Sequence, residues 1–350
     1  MSHLKVYFLN VGQGDSTYWE FTDATGKVWR GLIDCNLDRK RKGIDVHRFI
    51  EDKMPKVNGK RQLRLDFLIV THPHSDHIQG LKKFGDDYEI GELWDSGHVP
   101  EEGNDNCALF EDYKKVKEKH KSVLKHHKMS RDTFTICNDE LTVHVFSPSN
   151  WVDAADEREG EDRREAIHSE CLCFKFIFAD KAVLFTGDSN WLAWERITNY
   201  AEYDDETLKA EVLHVSHHGS RTFFHKKKED EPLRAGIERI APEVLIISAP
   251  ADSPHKHPHE EAMEIYREYV TDENNIHLTH SDSLILTIES DGTWDVQTDE
   301  SIQSDYEFSE EEETSESRNS STGSAAKSVA TIFGGSRSQL DHRPAAFRGA

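Results

Sequence analysis

Apolar and polar positions alternate from the start of the chain, and the alternation predicts strands before anything else is considered. From Leu4 the pattern gives a strand at Lys5–Val11, a turn at Gly12–Asp15 and a strand at Ser16–Phe21. A hairpin turn near Gly26 and Lys27 leads into a strand through Trp29–Asp34. His47–Met54 has helical spacing and ends at Pro55, and Leu65–Thr71 is a short apolar run of the kind a buried strand requires. Helical spacing over Ile78–Phe84 follows. Further on come strands at Cys171–Phe178, Ala182–Thr186, Val212–Ser216 and Val244–Ser248, interleaved with helices at Trp191–Tyr200 and Arg234–Ile240. Strand and helix in alternation predict a layered α/β protein.

Three regions depart from that pattern. Residues 101–131 and 153–166 read as surface insertions, the first carrying a Lys/His-rich helix at Tyr113–Met129, the second a mixed-charge loop. From 299 to 350 the chain turns Ser/Glu-rich, with an acidic run at Glu310–Glu313, and is expected to be a disordered tail or an interaction segment. The expected division is therefore a folded domain over 1–298 and a tail over 299–350.

Composition narrows the function classes. With 350 residues, 36% hydrophobic, the chain can bury a sizeable core. No run is long enough to span a membrane, and the amino terminus reads as a strand, not as a signal peptide. Five cysteines, in no CxxC spacing, fit a reducing cytosol better than a disulfide framework. A formal net charge of −23 argues against tight, non-specific binding to long duplex DNA. It leaves a nuclease open, because bound cations create positive potential locally.

The candidate chemistry lies at strand ends. Thr71-His-Pro-His-Ser-Asp-His-Ile78 puts three imidazoles and a carboxylate within six residues, directly after an apolar strand. His72 and His74 can face one metal ion while Asp76 and His77 face another. Gly187-Asp188 ends a strand with a carboxylate able to bridge two ions. Paired His217 and His218 follow the next strand, and His255, His257 and His259 follow the one after. Several strands each delivering a ligand type to one sheet edge is how α/β folds commonly build a site.

Together these residues resemble the metallo-β-lactamase superfamily. Within it, Phe8-Leu-Asn-Val-Gly-Gln-Gly-Asp15, Leu32-Ile-Asp34, Phe185-Thr-Gly-Asp188, Val215-Ser-His-His-Gly-Ser220 and His257-Pro-His259 resemble the hydrolase domain of ComEC-type DNA-uptake proteins. The resemblance covers roughly residues 4–290. It implies a four-layer αβ/βα sandwich with two divalent ions, zinc or manganese, along one edge. His72, His74, Asp76, His77 and Asp188 would be ligands, and Asp34 would orient histidines from behind. His217 or His218 would protonate a leaving oxygen, Asp76 would position the nucleophile, and either His217 or His257 would complete the coordination. Asn10 stands where the branch has aspartate, His280 likewise, and His168-Ser-Glu replaces an Asn-rich segment where other branches carry a third metal histidine. His168 is thereby a further candidate ligand.

The expected activity is that of a metal-dependent hydrolase, a phosphodiesterase or nuclease using activated water. Arg221, Lys226 and Lys227 follow the HHGS motif and are candidates to hold phosphates, with a solvated lysine loop as the alternative. DNA or another phosphodiester is the expected substrate. A small ester, lactone or nucleotide is the first alternative. The second is an effector subunit silent until a protein partner engages the acidic tail.

Overall fold

Along the strands, side chains sort to opposite faces with a two-residue period. In β1 (His3–Phe8), Leu4, Val6 and Phe8 turn inward while Tyr7 turns out toward helices. The computed structural model describes residues 1–41, 43–98, 107–126, 132–148, 160–280 and 282–308.

Among the described residues, one sheet has eight strands. Its order is β17 (Trp294–Asp299), β16 (Ser283–Glu289), β1, β2 (Thr17–Thr22), β3 (Val28–Ile33), β6 (Arg64–Val70), β7 (Glu89–Asp95) and β8 (Leu124–His126). The other has seven: β15 (Ile276–Leu278), β14 (Val244–Ile247), β13 (Val212–His214), β12 (Lys181–Phe185), β11 (Cys173–Phe178), β10 (Leu141–Ser147) and β9 (Thr133–Ile136). A small hairpin of β4 (Lys56–Val57) and β5 (Lys60–Arg61) stands apart.

The sheets meet face to face over a core rich in aromatic side chains, including Phe8, Trp19, Phe67 and Trp94 against Phe174, Phe176 and Phe185. Helices cover the outer faces. On the first sheet, Phe49 of α1 (Val46–Lys53), Phe84 of α3 (Leu81–Asp87) and Tyr113 of α4 (Cys107–Lys119) pack with Leu65, Leu68 and Val70. On the second, Trp194 of α6 (Trp191–Thr198), Ile237 of α8 (Ala235–Ile240) and Tyr266 of α9 (Glu260–Tyr269) pack with Leu184, Leu213 and Leu245. The result is a layered α/β protein, as the pattern predicted, in the form of the αβ/βα sandwich that the resemblance implied. Short helices α2 (Ser75–Ile78), α5 (Gly160–Ser169) and α7 (Asp205–Leu208) complete it.

Four strands of each sheet run parallel: β3, β6, β7 and β8 in one, and β12, β13, β14 and β15 in the other. Parallel strands end on the same side, so the loops after β3, β6, β12, β13 and β14 are delivered to a common edge.

Three boundaries are corrected. The folded unit runs to Phe308, not to residue 298. Helix α10 (Glu300–Tyr306) follows β17, burying Ile302 and setting Tyr306 edge-on to Phe49, so local polarity concealed a helix with one apolar stripe. The helix expected over Tyr113–Met129 is instead α4, from Cys107 to Lys119, followed by β8, because Leu124 pairs with Leu93 of β7. The mixed-charge loop expected over 153–166 becomes α5 from Gly160, which buries Ala166 and Ile167. The remaining parts of both expected insertions, and the tail over 309–350, lie outside the described residues.

Candidate metal centre

Each candidate residue is held by the turn that follows its strand. Asp34, just past β3, has left-handed backbone (φ 54°), which turns its carboxylate back under the next loop. There it accepts from the Thr71 N–H (2.8 Å), the Thr71 hydroxyl (2.6 Å) and His77 Nδ1 (2.8 Å). With the Thr71 hydroxyl committed to Asp34, His72 Nδ1 donates to Thr71 Oγ1 at 3.1 Å. The Gly-Asp15 turn closes on the same loop from the other side. Asp15 N–H donates to the Asp76 carbonyl, and a Cβ on Gly14 (φ +127°) would lie 2.3 Å from that oxygen, so only glycine fits.

These anchors aim imidazole nitrogens inward as two groups sharing Asp188. The first comprises His72, His74, His168 and Asp188. His74 Nδ1 lies 3.0 Å from His72 Nε2 and 2.9 Å from His168 Nε2, while Asp188 Oδ2 lies 3.6 Å and 3.7 Å from those two Nε2 atoms. The second comprises Asp15, His77, His218 and Asp188. Here Asp188 Oδ1 is 3.3 Å from His77 Nε2 and 3.8 Å from His218 Nε2, with Asp76 Oδ2 3.5 Å from the latter. His218 Nδ1 donates to the Ser248 carbonyl at 2.8 Å, which leaves its Nε2 lone pair facing the centre.

The donor set fits divalent cations. His77 Nε2, His218 Nε2, Asp15 Oδ1 and Asp188 Oδ1 are buried without a hydrogen-bond partner, an expensive arrangement unless an ion satisfies them. Asp15, Asp34 and Asp188 are almost wholly buried, and Asp76 stands beside them. Two divalent ions would balance that negative charge.

The electrostatics show the same demand. Burial lowers the His72 and His168 pKa values, and it brings His74 down to about 4 against the pull of Asp76 and Asp188. Burial also works against protonated His77 and His218, yet Asp188, with Asp34 for His77 and Asp15 for His218, outweighs it. His77 rises well above its ordinary value and His218 to about 9. Against the cost of burial, surrounding imidazoles hold the Asp188 carboxyl well below the usual range. The carboxylates call for positive charge that the imidazoles can supply only by giving up their role as ligands.

Other predicted residues fall elsewhere. His218, expected as a proton donor, stands in the second group, and His257, expected as a ligand, stands in neither. The His257 ring lies 5.4 Å from His217 and 5.9 Å from His218. His217 points Nε2 to within 3.6 Å of Asp188 Oδ2 while its Nδ1 meets Thr222 Oγ1 at 3.1 Å. Both HHGS histidines adopt left-handed backbone (φ 50° and 56°), a strained turn that sends the adjacent rings to different oxygens of Asp188.

A cleft of about 590 Å³ opens over the centre, lined by Asp76, His168, His217, His257, Phe110 and Arg164 among others. Arg221, Lys226 and Lys227 do not line it. Lys226 rests over the Trp191 ring, and the Arg221 N–H donates to His259 Nδ1. Asp15, Phe110 and Arg164 were missed as site residues. Only Asp15 carried a signal, the VGQGD motif.

Residues 32–230 match the sequence model of the metallo-beta-lactamase superfamily, more than half of the chain. The chain belongs to the metallo-β-lactamase superfamily. Members of this superfamily are mostly metal-dependent hydrolases, and the fold carries a dinuclear metal site where this chain gathers its His/Asp cluster. No curated relative matches the sequence. Among solved structures, CmlA, a diiron beta-hydroxylase from Streptomyces venezuelae, is 13% identical with a TM-score of 0.44, over 82% of this chain and 54% of that one. The short form of human tRNase Z is 11% identical, with a TM-score of 0.36 over 70% and 92%. A long-form RNase Z from yeast is 10% identical, with a TM-score of 0.42 over 89% and 52%. The chain spans about half the length of the first and last of these. Among the described residues no helix is long and apolar enough to cross a membrane.

Proposed function

We propose that this superfamily member is a metal-dependent phosphodiesterase acting on short single-stranded or nucleotide-sized substrates. The observation that carries the reading is His217. It stands beyond both four-residue groups, on the cleft wall, with Nδ1 against Thr222 and Nε2 directed at the centre. An imidazole so placed can protonate a departing alkoxide, which a phosphodiester releases.

His72, His74 and His168 would hold one ion and His77 and His218 the other, with Asp188 between them. Zinc or manganese bound there would activate water and offset the charge that develops in the transition state. Asp76, its carboxylate reaching the cleft, orients the attacking water. Arg164 is the one lysine or arginine on the cleft wall among the described residues, and it would hold non-bridging phosphate oxygens. One cation and a net charge of −23 favour a short substrate over long duplex DNA. Four buried free cysteines among the described residues suit a reducing compartment, so a cytoplasmic setting belongs to the proposal, as does a protein partner for the acidic segment Glu310–Glu313.

The cleft volume, within the range of small-molecule sites, also favours a second reading, hydrolysis of a small ester or lactone. Protein loaded with manganese or zinc should be offered bis(4-nitrophenyl) phosphate, short single-stranded DNA, 4-nitrophenyl acetate and a lactone, alongside Asp76→Ala. Phosphodiester cleavage that disappears in the variant supports the proposal. Turnover confined to the ester or lactone overturns it.

A further inference from the structure

The two groups around Asp188 differ in chemistry. The first offers three imidazoles and one shared carboxylate. The second offers two imidazoles, the shared carboxylate and Asp15, with Asp76 at its cleft side. Resting on the metal reading above, we infer that Asp15 is a ligand of the second metal position and makes it the oxygen-rich half of an asymmetric pair. That half would hold manganese beside a zinc ion in the histidine-rich half.

The assignment stands on the surroundings of the Asp15 side chain. Asp15 is 4% exposed, and its Oδ1 has no hydrogen-bond partner. That oxygen lies 3.5 Å from His214 Nε2 and 3.8 Å from His218 Nδ1, but neither nitrogen is available to it. His214 Nε2 pairs with Ser248 Oγ at 2.9 Å and His218 Nδ1 with the Ser248 carbonyl at 2.8 Å. A buried carboxylate oxygen with every nearby donor committed elsewhere calls for a cation. Unpartnered His77 Nε2, His218 Nε2 and Asp188 Oδ1 converge with it in one group whose donor atoms all lie within 4.8 Å of one another. The turn is built to keep Asp15 there. Its N–H donates to the Asp76 carbonyl, and its own carbonyl accepts from the Asn36 N–H, so the main chain is fixed independently of the carboxylate.

Donor type then sets preference. Imidazole-rich positions suit zinc, whereas carboxylate oxygens lower the discrimination against manganese. The pair would therefore fill unequally, zinc first at His72, His74 and His168, manganese second beside Asp15.

The test is binding, read without turnover. Metal-free full-length protein is given one equivalent of zinc and titrated with manganese, with the free-ion electron paramagnetic resonance signal reporting unbound Mn²⁺ and elemental analysis counting zinc. Wild type should retain one zinc and take up one manganese. Asp15→Asn, isosteric and with its main-chain bonds intact, should weaken manganese at least tenfold while keeping the zinc, whose retention also reports a folded centre. His168→Ala should do the reverse. Manganese affinity unchanged in Asp15→Asn overturns the assignment, and so does loss of both metals, which would make Asp15 a support for the whole centre. Wild type that binds neither metal overturns the metal reading itself.

Discussion

Two loops carry three histidines each after a buried strand, and only one of them contributes to the two His/Asp groups. In the loop after β6, His72 and His77 are fully buried, each with one nitrogen tied to the Asp34–Thr71 scaffold and the other left facing Asp188. In the loop after β14, His255 is exposed, His257 faces the cleft without joining either group, and His259 spends its Nδ1 on the Arg221 N–H. Three imidazoles at close spacing thus do not by themselves gather into one donor group. What separates the loops is the buried Asp34–Thr71 pair, which holds one nitrogen each of His72 and His77 and turns the other toward Asp188.

The largest effect should come from breaking the first loop. His72→Ala or His77→Ala should lose bound metal and lower hydrolysis on the order of 10³-fold, several kcal/mol of transition-state stabilisation. His255→Ala should leave metal content intact and activity within about twofold. Comparable metal loss in both would erase the distinction between the loops. Next in size, His217→Ala should lower kcat by roughly 10²-fold at unchanged metal content, with less effect on substrates whose leaving group needs no proton.

Asp34→Asn probes the scaffold itself. Removing its charge while keeping its shape should weaken metal binding about 10–100-fold, measured by competition with a chelating dye. Wild-type affinity in that variant would deny the carboxylate its orienting role.

The smallest effect concerns protons in the metal-free protein. Burial, with His218 and His217 nearby, lowers His257 to about 2, and burial lowers His74 to about 4. The unfolded chain takes up these protons near pH ~6.5, before the folded chain can. Stability is therefore full above that pH and declines as acid is added, toward 4 for His74 and toward 2 for His257. His257→Gln should flatten part of this decline in denaturant melts at about pH 7 and about pH 5. An identical slope in wild type and variant would count against the burial of that ring.

Much of this was legible in residue order, for a local reason. The strands from His3 to Ile33 and from Arg64 to Val70 announce themselves through side chains that alternate or run apolar along one segment. The cluster from His72 to His77 needs only six adjacent residues to show its chemistry. His168 was harder, because α5 starts among mixed charges and its single buried stripe is short. Helix α10 was hidden for the same reason, since Ile302 and Tyr306 are apolar points in a polar stretch.

By itself, then, the sequence determined the α/β layering, the strand ends that carry ligand types and the first histidine cluster, because each depends on neighbours along the chain. Tertiary structure alone decided that Asp15 meets His77 and His218 around Asp188, that His218 rather than His257 turns inward, and that the lysines after HHGS stay off the cleft. Those outcomes depend on how parallel strands from two sheets end side by side and on which turns adopt left-handed backbone, properties that no local stretch of sequence contains.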